Sequence, residues 1–97
     1  HLPHLLAFAS IQAIANSETP DALGHSGAGL KDFSRIASSS PEMWSDIFLE
    51  NSENLLPRIS TFKDVLSALE DAIKKKDQDK LIKLLAQAKT ERDRWMS

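Results

Sequence analysis

From His1 to Ser17 the chain contains no Asp, Glu, Lys or Arg. Leu2, Leu5, Leu6, Phe8, Ile11 and Ile14, with alanines filling in between, leave a helix of this stretch almost no polar face. A helix that is apolar all round has to be buried on all sides. At 97 residues the chain makes one domain with a modest core. Such a domain has few ways to surround this helix by itself, so the sequence predicts that a second subunit covers it and that the protein is a dimer. Pro3 suits the first turn, where a missing N–H matters little. The apolar stretch, roughly 16 residues, falls short of the ~20 that span a bilayer, and no basic leader marks it as a signal peptide.

The stretch from Gly27 to Trp44 is the second organising feature. Gly27 and Gly29 permit a close approach of backbone or a positive φ. An amphipathic turn follows, with Leu30, Phe33 and Ile36 on one side and Lys31, Asp32 and Arg35 on others. Ser40-Pro41-Glu42 then reads as a helix start: a serine cap, a proline at the first helical position and an early acid that complements the dipole. Met43 and Trp44 lie in that first turn. Two readings of these residues stand side by side. Asp32 and Arg35, three apart, form either an ordinary surface pair of about 0.2–0.5 kcal/mol or part of a binding site. Trp44 is either core or a pocket wall.

The remainder reads as helices. Trp44, Ile47 and Phe48 share a face of a helix that ends or bends near Asn51-Ser52. Leu55, Ile59, Phe62, Leu66, Leu69 and Ile73 then recur at alternating spacings of four and three, a coiled-coil-like seam. Pro57 removes one backbone hydrogen bond there and predicts a kink. Lys74, Lys75 and Lys76 favour the C-terminal end of that helix, and Asp77-Gln78-Asp79 supplies a turn and a new cap. Leu81, Leu85, Ala88 and Trp95 continue a compatible stripe, with Leu84 beside it, which predicts an antiparallel helical hairpin. Ser17 to Ser26 reads as loop with a short helical turn at Asp21–Leu23. No segment alternates convincingly enough for a strand. The expected fold class is all-α.

Several function classes are excluded by the same residues. A net charge of −2 and a pI near 5.9 argue against nucleic-acid or anionic-membrane surfaces. There is no cysteine, so no disulfide framework or thiolate metal site exists, and a reducing, cytoplasmic compartment is compatible. His1 and His4 share a helical face, but no further ligand stands at a suitable spacing and His25 is alone in a glycine loop, so no metal is expected. Gly24, Gly27 and Gly29 do not make a dinucleotide fingerprint, since no strand precedes them. The lysine run is a solvated helix end.

The run Gly-Leu-Lys-Asp-Phe-Ser-Arg-Ile-Ala at 29–37, followed by Pro41-Glu42-Met43-Trp44, closely resembles the signature of the prephenate dehydrogenase C-terminal domain. The opening His-Leu-Pro-His-Leu-Leu-Ala-Phe-Ala is similar to that family, as are Asp46-Ile47-Phe48 through Asn51, Asn54-Leu55-Leu56 and the closing Glu91-Arg92-Asp93-Arg94-Trp95. The likeness covers nearly the whole chain. It implies that residues 1–97 are a C-terminal dimerisation and substrate-binding domain, preceded in a longer protein by a dinucleotide-binding domain. The implied fold is the 6-phosphogluconate-dehydrogenase-C-terminal-like type, about five helices in an intertwined homodimer. The implied reaction oxidises prephenate with NAD or NADP: hydride leaves the ring carbon bearing the hydroxyl, carbon dioxide departs, and 4-hydroxyphenylpyruvate forms on the way to tyrosine.

The resemblance also implies a site. His4, Gly27, Gly29, Lys31, Asp32, Arg35, Met43 and Trp44 match family positions at the substrate pocket, some contributed by the neighbouring subunit. Prephenate carries two carboxylates, and a guanidinium recognises that group bidentately, which singles out Arg35, with Asp32 either to orient it or to close the cleft by pairing across the dimer. Ser34 stands where threonine is common, keeping a hydroxyl, and the loop at Gly24–Gly27 departs from the triple-glycine form. The catalytic histidine of the family belongs to the dinucleotide domain, so none of His1, His4 or His25 takes that role and the chain alone is expected to catalyse nothing. Two other readings accompany this one: an arogenate dehydrogenase, and a non-catalytic helical module that only dimerises.

Overall fold

The computed structural model describes residues 1–16 and 28–96, and all its regular structure is helical. The elements are α1 (Leu2–Ala15), α2 (Ala28–Ser34) running into a 3-10 turn (Arg35–Ser38), α3 (Pro41–Glu50), α4 (Ser52–Lys74) and α5 (Gln78–Met96). Among the described residues there is no strand, in line with the all-α reading. The expected turn at Asp21–Leu23, the loop at Gly24–Gly27 and His25 lie outside the described residues. The chain divides into two compact units, His1–Arg58 and Ile59–Ser97.

The first unit is built on α1, which packs against α2 and the 3-10 turn. Pro3 stands in the first turn of α1, and the helix carries no charged residue at either end. Ala7 and Leu55 are the fully buried apolar residues here. Within one chain the large side chains of α1, Leu2, Leu5, Leu6, Phe8, Ile11 and Ile14, are all half-buried, as expected of a helix that this domain cannot surround by itself. A single chain has too little surface to enclose them. Its short α2, the 3-10 turn and the rings of Trp44 and Phe48 cover α1 in part.

The start of α3 follows from three adjacent residues. Ser40 Oγ accepts the Met43 N–H at 3.3 Å, Pro41 takes the first helical position and Glu42 sits in the first turn. Asn51 separates α3 from α4. Its N–H donates to Ile47, and its carbonyl accepts from Leu55 at 2.9 Å, so one residue closes one helix and opens the next. α4 then runs unbroken through Pro57. The hydrogen bond that proline cannot donate is lost near the helix start, where the rest of the ladder carries the helix on.

In the second unit the last turns of α4 lead through Lys75–Asp77 into α5. Lys76 adopts a left-handed backbone, φ 53°, and Asp77 N–H reaches back to Ala72 at 2.9 Å, closing the helix end. Asp77 Oδ1 accepts the Lys80 N–H at 3.1 Å and caps α5, as its position in the turn predicted. Asp71 bridges the turn, with Lys75 and Lys80 each 3.3 Å from its Oδ2. Both lysines hold its carboxyl below the ordinary value, the Lys80 hydrogen bond most. Ala72 is buried, while Leu69, Leu81 and Leu84 are half-buried. The stripe of α5 is thus Leu81–Leu84; Leu85, expected on it, is exposed together with Ala88 and Trp95. At 3.6 residues per turn, positions three and four along both fall within about 60° of the same face. On the α4 seam, Phe62, Leu66 and Ile73 are likewise exposed.

Candidate functional site

Two groups of expected site residues are positioned by the first unit. The first joins the start of α1 to α3. The His4 imidazole lies stacked on the Trp44 indole, centroids 3.8 Å apart and planes at 19°. His1 meets the same indole edge-on at 6.1 Å and 81°. The spacing of three that puts both histidines on one face of α1 brings them to a single tryptophan. Trp44 continues into Phe48 at 5.5 Å, and Phe48 meets Phe8 of α1 edge-on at 6.5 Å. Edge-on and offset ring pairs of this kind add about 0.5–1.5 kcal/mol each beyond their buried area. Stacking occupies the face of the His4 ring and leaves its nitrogens, which lie in the ring plane, to bind something else.

Beside this ladder of rings lies an open apolar cleft of about 370 Å³, lined by Phe8, Pro41, Trp44, Ser45, Phe48 and Leu49. Pockets for small molecules are largely apolar with few polar groups. Ser45 supplies the polar side chain of the lining, and Trp44, which walls the cleft, carries the His4 stack. Met43 is exposed.

The second group is on α2 and the turn after it. Arg35 Nη2 stands 3.8 Å from Asp32 Oδ1, and both side chains are 79% exposed. The single long contact leaves the other guanidinium donors directed at solvent, where a carboxylate can be gripped by two of them. Ser34 Oγ donates to the Lys31 carbonyl at 2.7 Å and Ser38 Oγ to the Arg35 carbonyl at 2.8 Å. These back-bonds satisfy carbonyls where the helix tightens to 3-10. Lys31 is exposed. Of the two roles open to a glycine here, Gly29 does not use the positive φ, and a Cβ placed on it would meet nothing within 4 Å. The opening is toward free space. Gly27 lies outside the described residues.

His4 and Trp44 are therefore brought together, as are Asp32 and Arg35. The tryptophan stacked against His4 belongs to the same chain. Reading the sequence alone missed Asn51, which binds His1 across 50 positions of sequence at 2.8 Å, and it left Phe8 and Phe48 as ordinary core. The one signal for the first was the i,i+3 histidine pair. No group of three or more His, Cys, Asp or Glu suited to a metal occurs among the described residues. None of their helices is long and apolar enough to cross a membrane.

Comparison with known proteins places this geometry in context. The sequence model of the family described as prephenate dehydrogenase, dimerization domain, matches residues 1–87. The chain is 37% identical to a cyclohexadienyl dehydrogenase of Zymomonas mobilis over 86 residues, covering 84% of this chain and 29% of that protein. It is 32% identical to a prephenate dehydrogenase of Bacillus subtilis over 95 residues, 96% of this chain and 26% of the relative. A prephenate dehydrogenase of Lactococcus lactis is 34% identical over 79 residues, 79% of this chain and 22% of the relative. The chain thus spans less than a third of each of these relatives. No solved structure matches it significantly.

Proposed function

Because the chain belongs to the family of the prephenate dehydrogenase dimerization domain, we propose that it is the substrate-binding and dimerising part of a cytoplasmic, NAD- or NADP-dependent prephenate dehydrogenase. In this reading it pairs with a second copy, and residues 1–97 form the C-terminal domain of the longer enzyme. The substrate is a cyclohexadiene that carries two carboxylates. Arg35 binds one of these through two parallel N–H bonds, Asp32 steadies the guanidinium, and Lys31 adds a point charge. His4 offers an in-plane nitrogen to the same ligand, and Trp44 and Met43 wall the ring. Gly29 lets the backbone come close. The observation that carries the reading is the His4–Trp44 stack, which sets a polar edge beside an apolar cleft.

The residues described here do not suit a dinucleotide. Its phosphates are usually cradled where a strand passes through glycines into a helix, and no strand occurs among the described residues. The cofactor is assigned to the remainder of the longer protein, together with the residue that polarises the substrate hydroxyl. This chain contributes binding and orientation, which is the protein's share of a cofactor reaction.

The test supplies the intact protein with prephenate or arogenate and NAD or NADP, and follows the absorbance of the reduced nicotinamide. Turnover with prephenate is the expected result. Its absence with all four combinations, in a protein that sediments as a folded dimer, would leave the helical module as the function.

A further inference from the structure

Around His1 the hydrogen bonds have a direction. Asn54 Nδ2 donates to Asn51 Oδ1 at 3.1 Å, so the oxygen of the Asn51 amide is already engaged. The other end of that amide, Nδ2, faces His1 Nδ1 at 2.8 Å. With the Asn51 amide in this orientation its nitrogen donates and His1 Nδ1 accepts. A neutral imidazole that accepts at one nitrogen carries its proton on the other. His1 is therefore an Nε2–H donor, held edge-on to the indole whose face His4 covers. The backbone of Asn51 is fixed at the same time, because it closes α3 and opens α4.

From this relay we infer that Asn51 is a positioning residue for the ligand site: it fixes His1 in the Nε2–H form, so that His1 and His4 act as a pair of imidazoles on the Trp44 platform that receives a ligand carboxylate. The inference rests on the proposed function for the identity of that ligand. The tautomer does not depend on it.

Asn51→Asp isolates the donor role. Aspartate keeps the shape, still accepts from Asn54 and caps a helix as well as asparagine does, but it cannot donate to His1. At about pH 9, well above the ordinary imidazole value of ~6.5, His1 stays neutral and must turn its proton to Nδ1, presenting a bare Nε2 to the anion. The experiment uses the intact protein labelled with 15N-histidine, the His1 signal being assigned by its loss in His1→Gln. In the wild type the ring nitrogens should report Nε2–H, and in Asn51→Asp they should report Nδ1–H. KM for prephenate should rise about five- to tenfold, the scale of one lost hydrogen bond, with kcat changed less than about twofold. An Nδ1–H or averaged tautomer in the wild type overturns the inference, and so does a switched tautomer with KM unchanged. If the wild type turns over no substrate, the proposed function fails. The binding role of the pair is overturned with it, and the spectra still decide the relay.

Discussion

Replacing Arg35 by lysine separates the two readings of the Asp32–Arg35 pair. On the folding side the structure sets a low ceiling. The contact is one nitrogen to one oxygen at 3.8 Å, between side chains that are both 79% exposed, and such i,i+3 pairs contribute about 0.2–0.5 kcal/mol. Lysine keeps the charge, so less than that is lost, and the unfolding midpoint in urea should hardly move. On the binding side the guanidinium has unused donors in a planar fork, and lysine cannot grip a carboxylate with two parallel bonds. Losing one bond to a charged group costs about 1.5–3 kcal/mol, which is roughly a 10- to 150-fold fall in kcat/KM. The assay is steady-state production of reduced nicotinamide by the intact protein, with urea unfolding followed by circular dichroism on the same preparations. A kcat/KM within twofold of wild type would refute the carboxylate grip and leave an ordinary surface pair. A large loss of stability would refute the ceiling derived from exposure.

Trp44→Ala removes the ring that His1, His4 and Phe48 share; half-buried as it is, about 2–4 kcal/mol should be lost, measured by urea unfolding. Ser40→Ala deletes the bond from the Met43 N–H and should cost about 1 kcal/mol in the same assay. The Asp71 carboxyl, lowered from its ordinary 3.8 by Lys80 and Lys75, contributes stability above that value. The contribution is lost as pH falls through the lowered folded value. Thermal unfolding between about pH 6 and pH 2 should therefore show a steeper acid loss in wild type than in Asp71→Asn, and parallel curves would contradict the assignment.

The parts of the fold legible in the sequence were those set by neighbours in sequence. Ser40-Pro41-Glu42 fixes a helix start through bonds within one turn, and Asp77 caps α5 in the same local way. The break at Asn51 was read to within a residue. What sequence could not give was which apolar face meets which. Leu84 rather than Leu85 joins Leu81 toward the interior of its unit, a choice that packing makes and a heptad pattern leaves open. The α1 leucines are half-buried in one chain, because a count of apolar residues says how much must be covered and nothing of how much one chain can cover. At the site, His4, Arg35 and Trp44 were picked out by family likeness. The His1–Asn51 bond was not, because its partners stand 50 positions apart.

The uncharged α1 also has a consequence for how the protein is made. His1–Ala15 emerges from the ribosome ahead of every side chain that stacks on it, since Trp44 and Phe48 follow about 40 residues later. At ~5–20 residues per second that interval is about 2–8 s. For those seconds the α1 segment displays leucines, isoleucines and phenylalanine with no charge of its own to keep neighbouring chains apart. Even when α3 has arrived, the large residues of α1 remain half open. Chaperone capture early in synthesis, and the rate at which completed chains find their cover, should therefore limit the yield of this protein more than the stability of its finished fold.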